Sequence, residues 1–174
     1  MSDFALSQLL VAIAFACGMV SFQCKGRRPI LLWLSVSAYF NGCHFFVLDV
    51  PEAGTLFLIM GTRSIAATFS TNRKTMFLFL GLACVGFYFS YKNPLGFLAL
   101  SGTLLATYAS FQKAEKRVRV IFGLSAIIWI AHNILARSPV AALMEATLQA
   151  SNAVGYWRFH RSNKYTNNIH QIKN

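Results

Sequence analysis

The stretch SAYFNGCHFFVLDVPEA at residues 37–53 returns 88 positions later as SAIIWIAHNILARSPVA at residues 125–141. Ser37, Ala38, His44, Pro51 and Ala53 reappear as Ser125, Ala126, His132, Pro139 and Ala141. Further out, Arg73 is matched by Arg161, and Ser21-Phe22-Gln23 by Ser110-Phe111-Gln112 after a one-residue slip. Two halves of the chain follow one plan. In so apolar a chain, a repeat of this length points to a membrane fold whose paired units enclose a site near the bilayer midplane.

Composition restricts the class in the same direction. The 174 residues are 56% hydrophobic and 12% charged, with a mean hydropathy of +0.50, too apolar for a soluble domain with a charged shell. A formal charge of +11 would suit nucleic acid, but the Lys and Arg residues fall in short clusters between apolar runs and form no basic stripe interleaved with aromatics. No nucleic-acid partner is expected; the lipid bilayer is. Cys17, Cys24, Cys43 and Cys84 have no metal-type spacing and read as packing residues. The sequence also holds no Gly-rich phosphate loop, no GxSxG and no HExxH, so neither an enzyme nor a cofactor or metal is expected.

Seven runs approach the roughly 20 residues needed to cross about 30 Å of hydrocarbon: 4–22, 30–49, 53–71, 75–91, 95–112, 119–136 and 140–158. The first is preceded by Asp3 and no basic residue, and reads as a permanent helix rather than a cleaved signal. Basic connections, at Lys25-Gly26-Arg27-Arg28, at Arg73-Lys74, from Lys113 to Arg119 and after Trp157, alternate with nearly neutral or acidic ones. The positive-inside rule makes the basic set cytoplasmic, with the N-terminus outside and the C-terminus inside. Residues 162–174, rich in Asn, Lys and His, read as a disordered cytoplasmic tail.

The repeat relates spans 1–3 to spans 5–7. A three-span unit reverses direction, so two copies stand parallel only if one more span joins them. The fourth run suits that role, since Met76 to Tyr91 contains no charged side chain. The expected organisation is therefore 3+1+3: a first repeat at 1–73, a linker helix at 74–92 and a second repeat at 93–161.

This plan resembles the SWEET and PQ-loop transporter superfamily. In its residues the chain is similar to the YgjV-type bacterial inner-membrane proteins, through Gly42-Cys43-His44-Phe45-Phe46, Arg63, Ile130-Ala131-His132-Asn133, Glu145 and Arg158-Phe159. The resemblance spans most of residues 1–161 and implies a multi-pass protein of the bacterial inner membrane. One departure stands out: Pro29, Pro51, Pro94 and Pro139 all lie at helix starts, and no Pro-Gln pair interrupts a span.

Polar residues within the spans are where function would reside, because an ionisable group in hydrocarbon needs a partner or a wet cavity. Glu145, Gln149, Asn152 and Tyr156 share one face of the last span and are expected to line a cavity. Phe57, Gly61, Ser64 and Thr68 are the matching positions of span 3, with Arg63 beside them, roughly 16 Å from the outer end. His44 and His132 lie at matching depths, seven residues after a Ser and seven before a Pro; Asn41 joins the first of these faces and Asn133 adjoins the second. The candidate site is thus Asn41, His44, Arg63, His132, Asn133, Glu145, Gln149 and Asn152. The histidines beside Glu145 could couple solute movement to protons. The expected function is a secondary transporter or facilitator of a small polar solute by alternating access. The alternative is a receptor or interaction protein that binds in the same cavity without translocation.

Overall fold

In a computed structural model of the chain, residues 2–49, 51–91 and 94–160 are described; the tail at 162–174 lies outside them. They form seven helices: α1 Asp3–Gln23, α2 Arg27–Val47, α3 Pro51–Phe69, α4 Arg73–Ser90, α5 Gly96–Ser110, α6 Glu115–Leu135 and α7 Pro139–His160. There is no strand among the described residues.

Local chemistry explains the helix starts. The Ser2 hydroxyl accepts the Ala5 N–H at 3.3 Å and Asn72 Oδ1 accepts that of Lys74 at 2.9 Å, each satisfying a donor with no partner inside its helix. Pro51 and Pro139 open α3 and α7, where proline has no N–H to lose. One boundary moves substantially. The apolar run predicted a sixth span from residue 119, yet α6 begins at Glu115, because Glu115 pairs with Arg119 one turn on at 2.9 Å and makes the basic segment helical.

Among the described residues three helices, α1, α2 and α6, combine the length and hydropathy of a membrane span. The sequence led to seven spans of similar length, whereas α5 has only 15 residues and rises about 22 Å, short of the hydrocarbon thickness. Apolar side chains nevertheless face outward on every helix, among them Phe4, Phe46, Phe69, Phe89, Phe97, Ile127 and Leu143. Such a surface is stable against lipid and not against water.

Inside, a small apolar cluster around Leu31, Ala67 and Phe111 is joined by many contacts of small and hydroxylated residues. Ser7, Ala14, Ala38, Ser64, Ala67, Ala109 and Ser125 are all buried, as expected where helices associate by close approach and hydrogen bonds in an apolar solvent. Helix α2 packs between α1 and α3, and α6 between α5 and α7; α1 then lies against α7, and α5 against α3. Helix α4 rests on α5 and touches α3. Its outer face is open: nothing lies within 4 Å of where a Cβ on Gly81 would stand.

The repeat of the sequence returns in the geometry. Helices α2 and α6 each have 21 residues and begin 88 positions apart. Ser37 Oγ donates to the Ala14 carbonyl at 2.7 Å, and Ser125 Oγ donates to that of Gly102 at 2.8 Å. Both partners are offset by the same 88 residues. Beyond α2 and α6, Asp49 and Arg137 take left-handed backbone conformations with φ of 57° and 55°, ending the two helices alike.

Candidate functional site

Two seams join the halves, α3 against α5 and α1 against α7, and they carry different chemistry at related positions. On the first seam Arg63 is buried, 5% exposed, and its Nη1 donates to Thr107 Oγ1 at 2.8 Å. Its Nε has no hydrogen-bond partner, and no carboxylate among the described residues pairs with it. On the second seam the positions 88 residues away are Ser151 and Met19: Ser151 Oγ donates to the Met19 carbonyl at 3.1 Å and accepts from Gln23 Nε2 at 2.8 Å. One seam is closed by neutral hydrogen bonds. The other holds a cation with donors to spare.

At the basic end, two arginines fasten the halves reciprocally. Arg119 of α6 donates through Nη1 to the Phe22 carbonyl at 2.8 Å and through Nη2 to that of Cys24 at 2.6 Å, capping the end of α1. Its Nε donates to Glu115 Oε1 at 2.9 Å, while Glu115 Oε2 accepts the Gly26 N–H at 2.6 Å. In the other direction Arg27 of α2 donates to the Ser110 carbonyl at 2.9 Å, at the end of α5, and to that of Ala67 on α3. Arg119 thus satisfies two carbonyls at the end of a helix in the opposite half, and Arg27 one there and one in its own half. Arginine suits this role, since its fork reaches two acceptors at once.

The polar face of α7 does not point at the seam. Gln149 Nε2 lies over the Cα of Gly123 on α6, and Asn152 Nδ2 donates to the Arg119 carbonyl of the same helix at 2.9 Å and to Gln149 Oε1 at 3.1 Å. The matching face of α3 behaves likewise. Phe57 stacks on Phe45 of α2 at 5.4 Å, Gly61 packs against the Tyr39 ring, and Ser64 and Thr68 donate back to carbonyls of their own helix. The expected cavity walls are therefore contacts within each half. Arg63 sits roughly 130° around α3 from that face, which turns it to the seam.

The remaining candidates are dispersed. The buried His44 ring bonds the Ser7 carbonyl of α1 through Nδ1 at 2.8 Å, and Asn41 donates to the Ser37 carbonyl of its own helix at 3.1 Å. His132, half-buried, packs edge-on against Trp129 at 5.3 Å, with Asn133 Oδ1 at 3.4 Å from its Nδ1. Glu145 is half-buried and forms no hydrogen bond or ion pair with another described residue. The histidines were placed at related positions by the repeat, and their surroundings differ. Arg27, Thr107, Glu115, Arg119 and Ser151 were not singled out from the sequence. Arg27 and Glu115 occupy repeat-related positions with opposite charge, a signal that was legible but lay in segments read as loop.

A family model, Imp-YgjV, described as "Bacterial inner membrane protein", matches residues 5–163. The inner membrane protein YgjV of Escherichia coli (strain K12) is 26% identical over 164 residues, covering 94% of this chain and 90% of that protein. No solved structure matches the chain at a significant level. The chain belongs to this family of bacterial inner membrane proteins.

Proposed function

We propose that this inner-membrane protein is a secondary carrier or facilitator for a small polar solute bearing a negative group, without covalent chemistry on it. In this reading all seven helices cross the bilayer as two parallel three-helix units linked by α4, the SWEET-like 3+1+3 plan, with the basic end cytoplasmic. The observation that carries it is Arg63: a buried guanidinium with one hydrogen bond and an orphaned Nε, on the α3–α5 seam between the units. An unpaired cation at membrane depth is expensive, and a solute carboxylate or phosphate would complete its hydrogen bonding.

The reciprocal arginine clamps support a conformation closed at the basic end. Opening there would release Arg27 from Ser110 of the other unit, leaving its bond to Ala67 within its own, while the α1–α7 seam, held by Gln23 and Ser151, serves as the fixed side. Glu145, without a partner among the described residues, is the group through which protons would be coupled.

Proteoliposomes test this with radiolabelled neutral sugars, amino acids and sugar acids as probes. Uptake of a carboxylate-bearing probe is expected, falling about 100-fold in Arg63→Gln, the scale for removing one partner of a desolvated charge pair. Glu145→Gln should leave counterflow intact and abolish its response to a pH gradient. Unchanged flux in Arg63→Gln would overturn the assignment, and saturable binding with no flux would select a receptor instead.

A further inference from the structure

At the basic end of the bundle, between the first turns of α4 and α6 and the last turn of α5, lies an open cavity of about 450 Å³. Three of its lining residues, Arg73, Lys113 and Arg117, are cations on exposed positions. None forms an ion pair with a described residue. Phe77 and Tyr108, both exposed, supply an aromatic wall, and the buried Phe111 closes the floor. The cavity is separate from the Arg63 seam, whose residues do not line it.

Three cations and no carboxylate line this cavity, which gives it a positive potential that favours an anion. Arg73 lies in the first turn of α4 and Arg117 in that of α6, where the helix dipole already presents positive charge. Helix α6 adds a further vacancy for an acceptor, because its N-cap, Ala114, provides no side-chain oxygen. The flanking surface is apolar and belongs to helices that face lipid: Phe77 and Leu78 of α4 are 62% and 59% exposed. A ligand suited to both parts has an anionic head and a hydrocarbon tail.

We infer that this cavity is a binding site for the phosphate headgroup of an anionic phospholipid, with the phosphate among Arg73, Lys113 and Arg117 and an acyl chain along Phe77. Basic pockets between membrane helices are the usual setting for such recognition. A phospholipid is favoured over free phosphate because the aromatic and apolar wall continues from the cations onto the lipid-facing surface of α4. The site does not depend on transport and stands whether or not Arg63 binds a solute.

Native mass spectrometry of the full chain, released from detergent with phosphatidylglycerol, cardiolipin or phosphatidylcholine added, tests the site. Anionic lipid is expected to be retained in preference to phosphatidylcholine. The triple variant Arg73→Gln, Lys113→Gln, Arg117→Gln should lower that affinity about 100-fold, roughly five-fold per cation. The charge-matched variant Lys25→Gln, Arg28→Gln, Lys116→Gln, at exposed positions outside the cavity, should leave it within about two-fold. Equal loss in both variants would reduce the effect to overall charge and overturn the site. So would competition by millimolar inorganic phosphate or glycerol 3-phosphate as effective as the lipid, which would make the ligand a free phosphate. Circular dichroism and gel filtration of both variants establish that each is folded.

Discussion

Replacing Arg119 by Met is expected to destabilise the protein by about 3–5 kcal/mol, the range for removing one member of a buried charge pair. The guanidinium is 1% exposed and its bonds reach three places: Glu115, the Phe22 carbonyl and the Cys24 carbonyl. Met fills a similar volume, so packing loss is small and the result isolates the polar network. What remains behind is two carbonyls at the end of α1 and a carboxylate held only by the Gly26 N–H. Arg119→Lys keeps the charge but not the fork, and should recover less than half of the loss. The apparent melting temperature in detergent, with the monodisperse fraction on gel filtration, measures the effect. Adding Glu115→Gln to Arg119→Met should cost less than the sum of the single changes, since the carboxylate is then no longer stranded. A melting temperature unchanged in Arg119→Met would show that the clamp does not hold α1 to α6.

Gly155→Ala is expected to cost about 3 kcal/mol, at the upper end of the range for overpacking a close contact. A Cβ on Gly155 would overlap the Phe22 carbonyl oxygen and stand 2.5 Å from Arg119 Nη1. The first obstacle is backbone, and the second is fixed by the bonds just described, so neither can swing away. Helix α7 would have to retreat from α1, weakening the Ser151 bonds to Met19 and Gln23 along the same seam. Gly81→Ala is the matched comparison. Nothing surrounds that position, and alanine's better helix propensity should leave stability equal or up to about 1 kcal/mol higher. Equal melting temperatures for the two variants would contradict the close approach of α7 to α1.

These two residues also show where the sequence was readable and where it was not. Gly155 is one of several glycines distributed over the apolar spans, and nothing local distinguishes it from Gly81. The difference is a neighbouring helix 133 positions away in the chain. Arg119 belongs to a run of basic residues from Lys113 onward that reads as a solvated connection. Its burial depends on the carbonyls at the end of α1, which have no sequence signature. The faces of α3 and α7 illustrate a third case. Polar residues at helical spacing do form a stripe, and that much is correct of Gln149 and Asn152. Which neighbour the stripe faces depends on the rotation of the helix within the bundle, and here it faces α6.

The sequence by itself determined the apolar, helical, membrane character of the chain, the approximate position of seven helices and the recurrence of residues 37–53 at 125–141. Each is written in local features: run length, proline and capping residues at helix starts, clustered charge and the 88-residue recurrence. The tertiary structure decided which polar groups meet. It placed Arg63 on the α3–α5 seam with one hydrogen bond, and sent His44, Gln149 and Asn152 to partners inside their own halves. The physical reason is that bilayer helices attract one another mainly through close packing and hydrogen bonds, not through an apolar face seeking a core. Hydrophobic periodicity, the signal that orients a helix in a soluble protein, therefore says little about its rotation here.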